Sequence, residues 1–374
     1  MRIGIEAQRL FRKKKHGMDI VALELIKALQ KLDTPHQFVV FVKPDEDDQV
    51  ILPTHNFEIV KVEGGPYPIW EQIKLPAAVK EHNIDVLHCT SNTAPLKCPV
   101  PLVITLHDII YLEKLNLSQG TWYQRIGNLY RRWNVPKVVK ISKAIATVSN
   151  YERKRIIDHF GLPAEKVTTV YNAVGEHFKP IDDEIALQTI RLKYKLPKSY
   201  MFFLGNTDPK KNVRGVMAAL KQLKDQNKLP LPLVMPDLDR DYLQRTLQEL
   251  KATDLKDNII TCGYVPNHEL PSIINNATIF LYPSLRESFG IPLLEAMACG
   301  VPVITSNTSS MPEVAGDAAL FIDPFRPETL AEKIELLMNT PDLRAELKQK
   351  GLQRAKQFSW ENTARQMLQL YENI

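Results

Sequence analysis

With 374 residues, 48 Lys and Arg against 43 Asp and Glu, and a formal net charge of +5, the chain is long enough for two domains of ordinary size, each with its own core. Its four cysteines, Cys89, Cys98, Cys262 and Cys299, form no CxxC pair and meet no histidine at zinc-finger spacing, which argues against a disulfide framework or a structural metal. Met1 leads straight into strand-like residues 2–5 without a signal-peptide stretch, and no apolar run is long enough to span a bilayer, so a soluble, cytoplasmic protein is expected. The modest positive field suits anionic ligands such as nucleotide diphosphates or anionic lipid surfaces. Without a recognisable nucleic-acid module beside that charge, nucleic acid is not expected as a partner.

Short β-branched runs alternate with helical patterns, the signature of βαβ units around a parallel sheet. In the first half, strands are predicted at 2–5, 38–42, 57–62, 85–88, 102–106, 144–148 and 167–170, and Val21, Leu25, Ala28, Leu29 and Leu32 fall on one face of a helix between the first two. Basic residues cluster in a loop, Arg12-Lys13-Lys14-Lys15, and again as Arg125, Arg131, Arg132, Lys137, Lys140 and Lys143 among Trp122, Tyr123, Tyr130 and Trp133. A solvated helix face is the ordinary reading of the stretch 122–143; peripheral contact with the inner face of the plasma membrane is the alternative. Pro180 argues against a continuous helix across 177–180, which places a domain boundary there. The pattern then restarts, with strands at 200–204, 231–235, 259–261, 279–281, 302–304 and 319–322. Three helical segments follow, and Ser359 reads as the N-cap of the last. The expectation is an α/β protein of two doubly wound domains, 1–178 and 179–357, and a terminal helix, 358–374. In such sheets a ligand sits at the carboxyl ends of the strands, but the fold alone does not choose the chemistry.

The stretch from Tyr282 to Gly300 is the most informative. A strand ends in a polar loop, Gly290 permits close backbone approach, Pro292 suits the first helical turn and Gly300 its C-terminal cap. The helix N-terminus is then a diphosphate site, although Pro292 itself can donate nothing. Glu287 precedes the helix and Glu295, eight positions on, lies about one turn inside it. One carboxylate can bond sugar hydroxyls while the other reaches ribose hydroxyls.

This stretch resembles the E-x7-E signature of the large retaining GT-B glycosyltransferase family, glycosyltransferase family 4 or group 1, which includes bacterial mannosyl-, glucosyl- and N-acetylglucosaminyltransferases. Three further segments are similar to the family in order. At Gly205-Asn206-Thr207-Asp208-Pro209-Lys210-Lys211-Asn212 the resemblance gives Lys210 and Lys211 the place of a basic pair that clamps the donor diphosphate, Lys210 standing where Arg is common. At Thr105-Leu106-His107-Asp108 it implies that His107 bonds the transferred sugar and that Asp108 orients it. Val148-Ser149-Asn150 and Val170-Tyr171-Asn172-Ala173-Val174 are similar to Val-Ser and Asn-Gly-Val segments, with Ala173 in place of Gly, so that turn either avoids positive φ or is strained. Gly17 stands in the place of a Gly-rich loop before the first helix. The donor contacts implied are Gly17, Asn206, Val265, Ser288, Phe289, Gly290, Ile291, Leu293 and Glu295, with the base near Gly263-Tyr264-Val265.

The resemblance thus implies a GT-B fold, two Rossmann-like domains facing a central cleft, with the terminal helix crossing back to the first. It implies a metal-independent, retaining hexosyltransferase of polysaccharide biosynthesis, with catalytic His107, Asp108, Lys210, Lys211 and Glu287 and no cofactor. The donor is expected to be GDP-mannose, with UDP-glucose or UDP-N-acetylglucosamine as alternatives. The acceptor is a glycan or lipid-linked sugar, bound by loops 9–18 and 116–130. No nucleophile is implied beneath the anomeric carbon, in contrast to the paired carboxylates of a retaining glycosidase. Three other readings fit the residues less well. A metal-dependent transferase would use Asp237-Leu238-Asp239, which reads better as a helix cap. A nicotinamide enzyme needs a G-x-G-x-x-G loop, which is lacking. A catalytically silent glycan-binding homologue would have lost residues that are all present here.

Overall fold

The computed structural model of the chain describes the backbone of residues 1–113 and 122–374 and the side chains of 1–112 and 127–374. Part of the expected acceptor loop 116–130, and the side chains of Trp122, Tyr123 and Arg125, therefore lie outside the described residues. Internal packing divides the chain into two compact units, Met1–Asn172 with Ser359–Ile374, and Ala173–Phe358.

The first unit carries β1 (Arg2–Glu6), β2 (Gln37–Val42), β3 (Phe57–Lys61), β4 (Val86–Cys89), β5 (Leu102–Thr105), β6 (Ala144–Thr147) and β7 (Val167–Thr169). They form one parallel sheet in the order β3-β2-β1-β4-β5-β6-β7. The chain runs outward from β1 in one direction and from β4 in the other, so the topological switch point lies between β1 and β4. Central strands read as continuous apolar runs because both faces are covered: β2, β4, β5 and β6 are almost entirely buried. Val21, Leu25, Ala28, Leu29 and Leu32, the face predicted for the Gly17–Lys31 helix and its C-cap, are all buried.

The second unit carries β8 (Met201–Phe203), β9 (Leu233–Val234), β10 (Ile259–Ile260), β11 (Ile279–Tyr282), β12 (Val303–Ser306) and β13 (Ala319–Ile322) in the parallel order β10-β9-β8-β11-β12-β13. Every predicted strand is present. The run predicted at 231–235 shrinks to two residues because Pro232 and Pro236 bracket β9 and cannot donate to a ladder. The helix Val213–Asp225 buries Val213, Val216, Met217, Leu220 and Leu223 in the core of this unit, against Met201, Phe203 and Leu281 of the sheet among others.

Ser359 caps the terminal helix Trp360–Glu372 as predicted, its Oγ accepting the Asn362 N–H at 3.2 Å. That helix packs on Gly17–Lys31. The Tyr371 hydroxyl meets His88 Nδ1 at 2.7 Å, and Glu372 meets His36 Nε2 at 2.9 Å. Burial, aided by His107, lowers His88 to about 3, so its ring stays neutral between Tyr371 and the Thr105 hydroxyl. The last helix thus belongs to the first unit although unit two precedes it in the chain. Among the described residues no helix is long and apolar enough to cross a membrane.

Candidate functional site

In the second unit, the loops after β8, β11 and β12 converge at the carboxyl end of the sheet. Asp208 caps a 3-10 turn, Pro209–Lys211, by accepting the Lys210 N–H at 3.0 Å. Asn206, a predicted donor contact, accepts the Asp208 N–H at 2.9 Å and so shapes this loop. Lys211 Nζ reaches Glu287 Oε1 at 2.7 Å and the Tyr282 hydroxyl at 3.3 Å. Two groups expected to meet different parts of a ligand are therefore held against each other. Lys210 is half-exposed, with Asp208 at 3.9 Å, and its carbonyl accepts the Leu285 N–H at 2.7 Å.

Glu287 is 8% exposed. Burial pushes its carboxyl up, but the Lys211 and Lys210 ammoniums and the Lys211 hydrogen bond more than reverse this and hold it below the usual carboxylate range. Glu295 sits inside the Ile291–Ala298 helix with Lys211 as its attractive neighbour; burial dominates and raises it to about 7. The two glutamates of one motif thus differ in charge near neutrality, one ionised and one poised to take a proton.

Gly290 caps this helix at φ 100, a conformation closed to ordinary side chains. Pro292 has no N–H and the Leu293 N–H is spent on the Gly290 carbonyl at 3.0 Å, so that among the described residues the amides of Gly290 and Ile291 are the ones this helix start leaves for an anion. Leu293, an expected donor contact, has a fully buried side chain and an amide bonded to the Gly290 carbonyl. Ser288 is half-buried, while Phe289 is buried with its ring edge-on to Phe358. Gly263, at φ 75, and the half-buried Val265 follow β10 beside the Gly263 carbonyl's bond to the Asp237 N–H at 2.9 Å. Asp239 accepts the Tyr242 N–H at 2.7 Å, the capping role anticipated for it.

A further support was not foreseen from the sequence. Thr308 Oγ1 donates to the Leu285 carbonyl, Ser309 Oγ accepts the Glu287 N–H at 3.1 Å, and Ser310 Oγ contacts the Glu287 and Phe289 carbonyls at 3.0 and 2.9 Å. Three consecutive hydroxyls after β12 thus hold alternate residues of the Glu287 loop. The run Thr308-Ser309-Ser310 directly after a predicted strand was the available signal.

In the first unit His107 follows β5 and is 6% exposed. Its N–H donates to Asn92 Oδ1 at 2.7 Å and its Nε2 lies 3.0 Å from the Thr90 carbonyl. A carbonyl only accepts, so Nε2 carries the proton and Nδ1 is the acceptor of a neutral ring. Burial lowers His107 below its ordinary value despite the Thr90 bond, which keeps that ring neutral. Asp108 accepts the Ile110 N–H at 3.1 Å and so opens the Ile110–Glu113 helix; the ring of His107 is oriented by Thr90. Gly17 is the first residue of its helix, where the His16 N–H donates to Asp19 Oδ2 at 3.0 Å. Ala173 is absent from the described positive-φ residues, so its turn avoids the strained option. Ser149 caps the Asn150–Phe160 helix.

A second polar centre, also unforeseen, lies near the switch point. Glu71, fully buried on a π-helical turn, accepts hydroxyls from Tyr67, Thr93 and Tyr130 at 2.6, 2.5 and 2.6 Å and the Gln72 amide at 3.0 Å. Tyr130, grouped with the surface aromatics by sequence, is turned inward by this bond. Leu129, Trp133 and Ile141 remain exposed on the Trp122–Ile141 helix, with Lys137 Nζ 4.0 Å over the Trp133 ring.

Two all-parallel Rossmann-like units, one holding a lysine–glutamate pair beside a glycine-capped helix start, define the GT-B class of glycosyltransferases. Residues 16–177 match the family described as Glycosyltransferase Family 4 and residues 188–354 that described as Glycosyl transferases group 1, which together span most of the chain, and the protein belongs to this family. It is similar to the O-antigen chain mannosyltransferase B of Escherichia coli, 36% identical over 62% of this chain and 61% of that protein. The serotype-specific mannosyltransferase WbdA of Escherichia coli is 29% identical over 63% of this chain and 29% of its own length. The matched region thus spans less than two thirds of these relatives. Among solved structures, Anabaena Alr3699/HepE in complex with UDP superposes over all of both chains with a TM-score of 0.76 at 18% identity. WaaG, a glycosyltransferase involved in lipopolysaccharide biosynthesis, does so over 98% of each with a TM-score of 0.71 at 16% identity. These two likenesses are of fold.

Proposed function

We propose that the protein is a retaining hexosyltransferase that moves mannose from GDP-mannose to a glycan or lipid-linked acceptor in polysaccharide assembly, without a divalent metal. The observation that carries the reading is the Lys211–Glu287 pair, 2.7 Å apart beside the Gly290 helix start. An ammonium has three donors; two face Glu287 and Tyr282, and the third serves a phosphate oxygen. Lys211, Lys210 and the helix start then supply the counter-charge that a cation would otherwise give. Glu287, ionised and anchored by Ser309, accepts hydroxyls of the transferred sugar. His107, neutral with Nδ1 as its acceptor, bonds one more hydroxyl. Transfer proceeds on the front face: the donor phosphate oxygen takes the acceptor's proton as the bond to phosphate breaks and the new glycosidic bond forms. The similarity to mannosyltransferases supports the choice of sugar.

The test is nucleoside diphosphate release in excess EDTA from GDP-mannose, with UDP-glucose and UDP-N-acetylglucosamine alongside. GDP release from GDP-mannose, with product linkage retained, is the expected result. Activity that returns only with manganese would restore a metal role to Asp237 and Asp239, and no release from any donor would mark a silent binding protein.

We assign Glu295 to the ribose hydroxyls, and its raised pKa makes binding pH-dependent. Only the carboxylate accepts from both hydroxyls, so binding selects the ionised form. With a free-state value of about 7, affinity for GDP should rise about tenfold from pH 6 to pH 8. Calorimetry of Glu295→Gln, which should flatten this rise, separates it from the nucleotide's own titration; an unchanged slope counts against the ribose role. For the exposed Leu129, Trp133 and Ile141 face with Lys137 we propose peripheral membrane contact. Sedimentation with anionic but not neutral vesicles is expected, and equal recovery with both would refute it.

A further inference from the structure

The geometry points to Asn212 as a positioning residue: its side-chain amide ties together the loops after β8, β11 and β13 and thereby fixes the Lys211 ammonium against Glu287. Asn212 sits at φ 60 and ψ 38, between the 3-10 turn Pro209–Lys211 and the helix Val213–Asp225. That left-handed conformation is open chiefly to Gly, Asn and Asp. Its Oδ1 accepts the Gly215 N–H at 3.2 Å, an ordinary N-cap. Its Nδ2 does something a cap does not require. The two amide hydrogens go to the Pro283 carbonyl at 3.1 Å, after β11, and the Pro324 carbonyl at 2.8 Å, after β13.

In the sheet order β8-β11-β12-β13, the amide thus reaches from the first of these strands' loops to the last. Lys211 is the preceding residue, and its partner Glu287 lies four residues beyond Pro283. The Lys210 carbonyl and Leu285 N–H close the same seam at 2.7 Å. Among the twenty residue types only Asn combines a left-handed backbone, a cap oxygen and two amide donors at this reach. Asp would cap equally well but would face two carbonyls with a carboxylate. Gly215 completes the device, since a Cβ there would come within 2.5 Å of Asn212 Oδ1 and displace the side chain.

The inference rests on the donor-site reading for its functional meaning, but its geometric content is testable alone. Asn212→Gly keeps the backbone conformation and sacrifices little as a cap, while losing all three side-chain bonds. Donor turnover is expected to fall about tenfold or more in kcat, with KM within about twofold, because Lys211 loses its aim rather than its charge. The Glu287 carboxyl, followed by carbon-13 NMR, should titrate at higher pH as its counter-ion drifts. Gly215→Ala, which favours the helix but crowds Asn212, should move both readouts the same way, and the double variant should be no worse than Asn212→Gly. A folded Asn212→Gly protein with normal kcat and an unshifted Glu287 titration would overturn the proposal. Should the wild type release no nucleotide, the donor reading fails, and the Glu287 titration still decides the role of Asn212.

Discussion

Lys211→Ala is expected to lower kcat about a hundredfold while raising the KM for the donor far less. Charge grows on the leaving diphosphate as the glycosidic bond breaks, so a contact to it is worth more in the transition state than in the ground state. Losing one such contact in a water-poor site costs on the order of 3 kcal/mol. The structure adds a second consequence. Lys211 is the principal counter-ion of a Glu287 that is 8% exposed, and without it burial acts on that carboxyl opposed mainly by Lys210. Glu287 should then ionise at higher pH, and the kcat of Lys211→Ala at saturating donor should rise with pH more steeply than that of the wild type. Lys211→Arg should recover only part, because a planar fork replaces a point charge in a place shaped by Tyr282. Steady-state kinetics between pH 5.5 and 8.5, on protein shown by thermal melting to be folded, reads all three effects. A near-normal kcat with the defect confined to KM would reduce Lys211 to an anchor and remove the centre of the mechanism.

Glu6→Gln should stabilise the protein at pH 8 relative to pH 5. Glu6 ends β1 and is 1% exposed; its Oε1 accepts the Gln8 N–H at 2.9 Å, while Oε2 is buried without a hydrogen-bond partner among the described residues. Burial raises it to about 7, the Gln8 bond opposing and Glu71 reinforcing the rise. A carboxyl whose folded value exceeds its unfolded one binds the extra proton only in the native state. Its favourable contribution is therefore complete below pH 4.5 and is lost as pH climbs through 7. The span corresponds to about 3 kcal/mol. Glutamine keeps the acceptor for Gln8 and has no proton to lose, so the variant should escape this decline. Urea unfolding of both proteins at pH 5 and pH 8 measures it. A difference between the two pH values below about 1 kcal/mol would show that Oε2 finds compensation on unfolding's near side, and that burial alone does not govern this carboxyl.

The order and number of strands were legible in the sequence because each is a local matter. Ile3 to Ile5, Phe38 to Val42 and Ile279 to Leu281 are apolar runs too short for helices and bounded by polar or turn residues, and a parallel sheet covered on both faces demands just such runs. The Glu287 loop was legible for a related reason: Gly290 must take a positive φ and Pro292 must open a helix, so the turn is written into four residues. The caps by Asp239 and Ser359 follow the same short-range logic.

What the residues mean to one another was decided by tertiary structure. Lys211 and Glu287 are 76 positions apart, and only the adjacency of β8 and β11 brings them to 2.7 Å. No spacing rule announces that Asn212 will reach carbonyls after two other strands, or that Thr308, Ser309 and Ser310 will hold alternate residues of the Glu287 loop. The charge states were still less accessible. Glu6, Glu71, Glu287 and Glu295 are the same residue type, yet burial without matching partners raises Glu6 and Glu295, four donors temper the rise in Glu71, and a lysine reverses it in Glu287. Secondary structure depends on neighbours within a few positions, whereas ionisation depends on everything within a few ångströms, and in a parallel sheet those neighbours come from strands far apart in the chain.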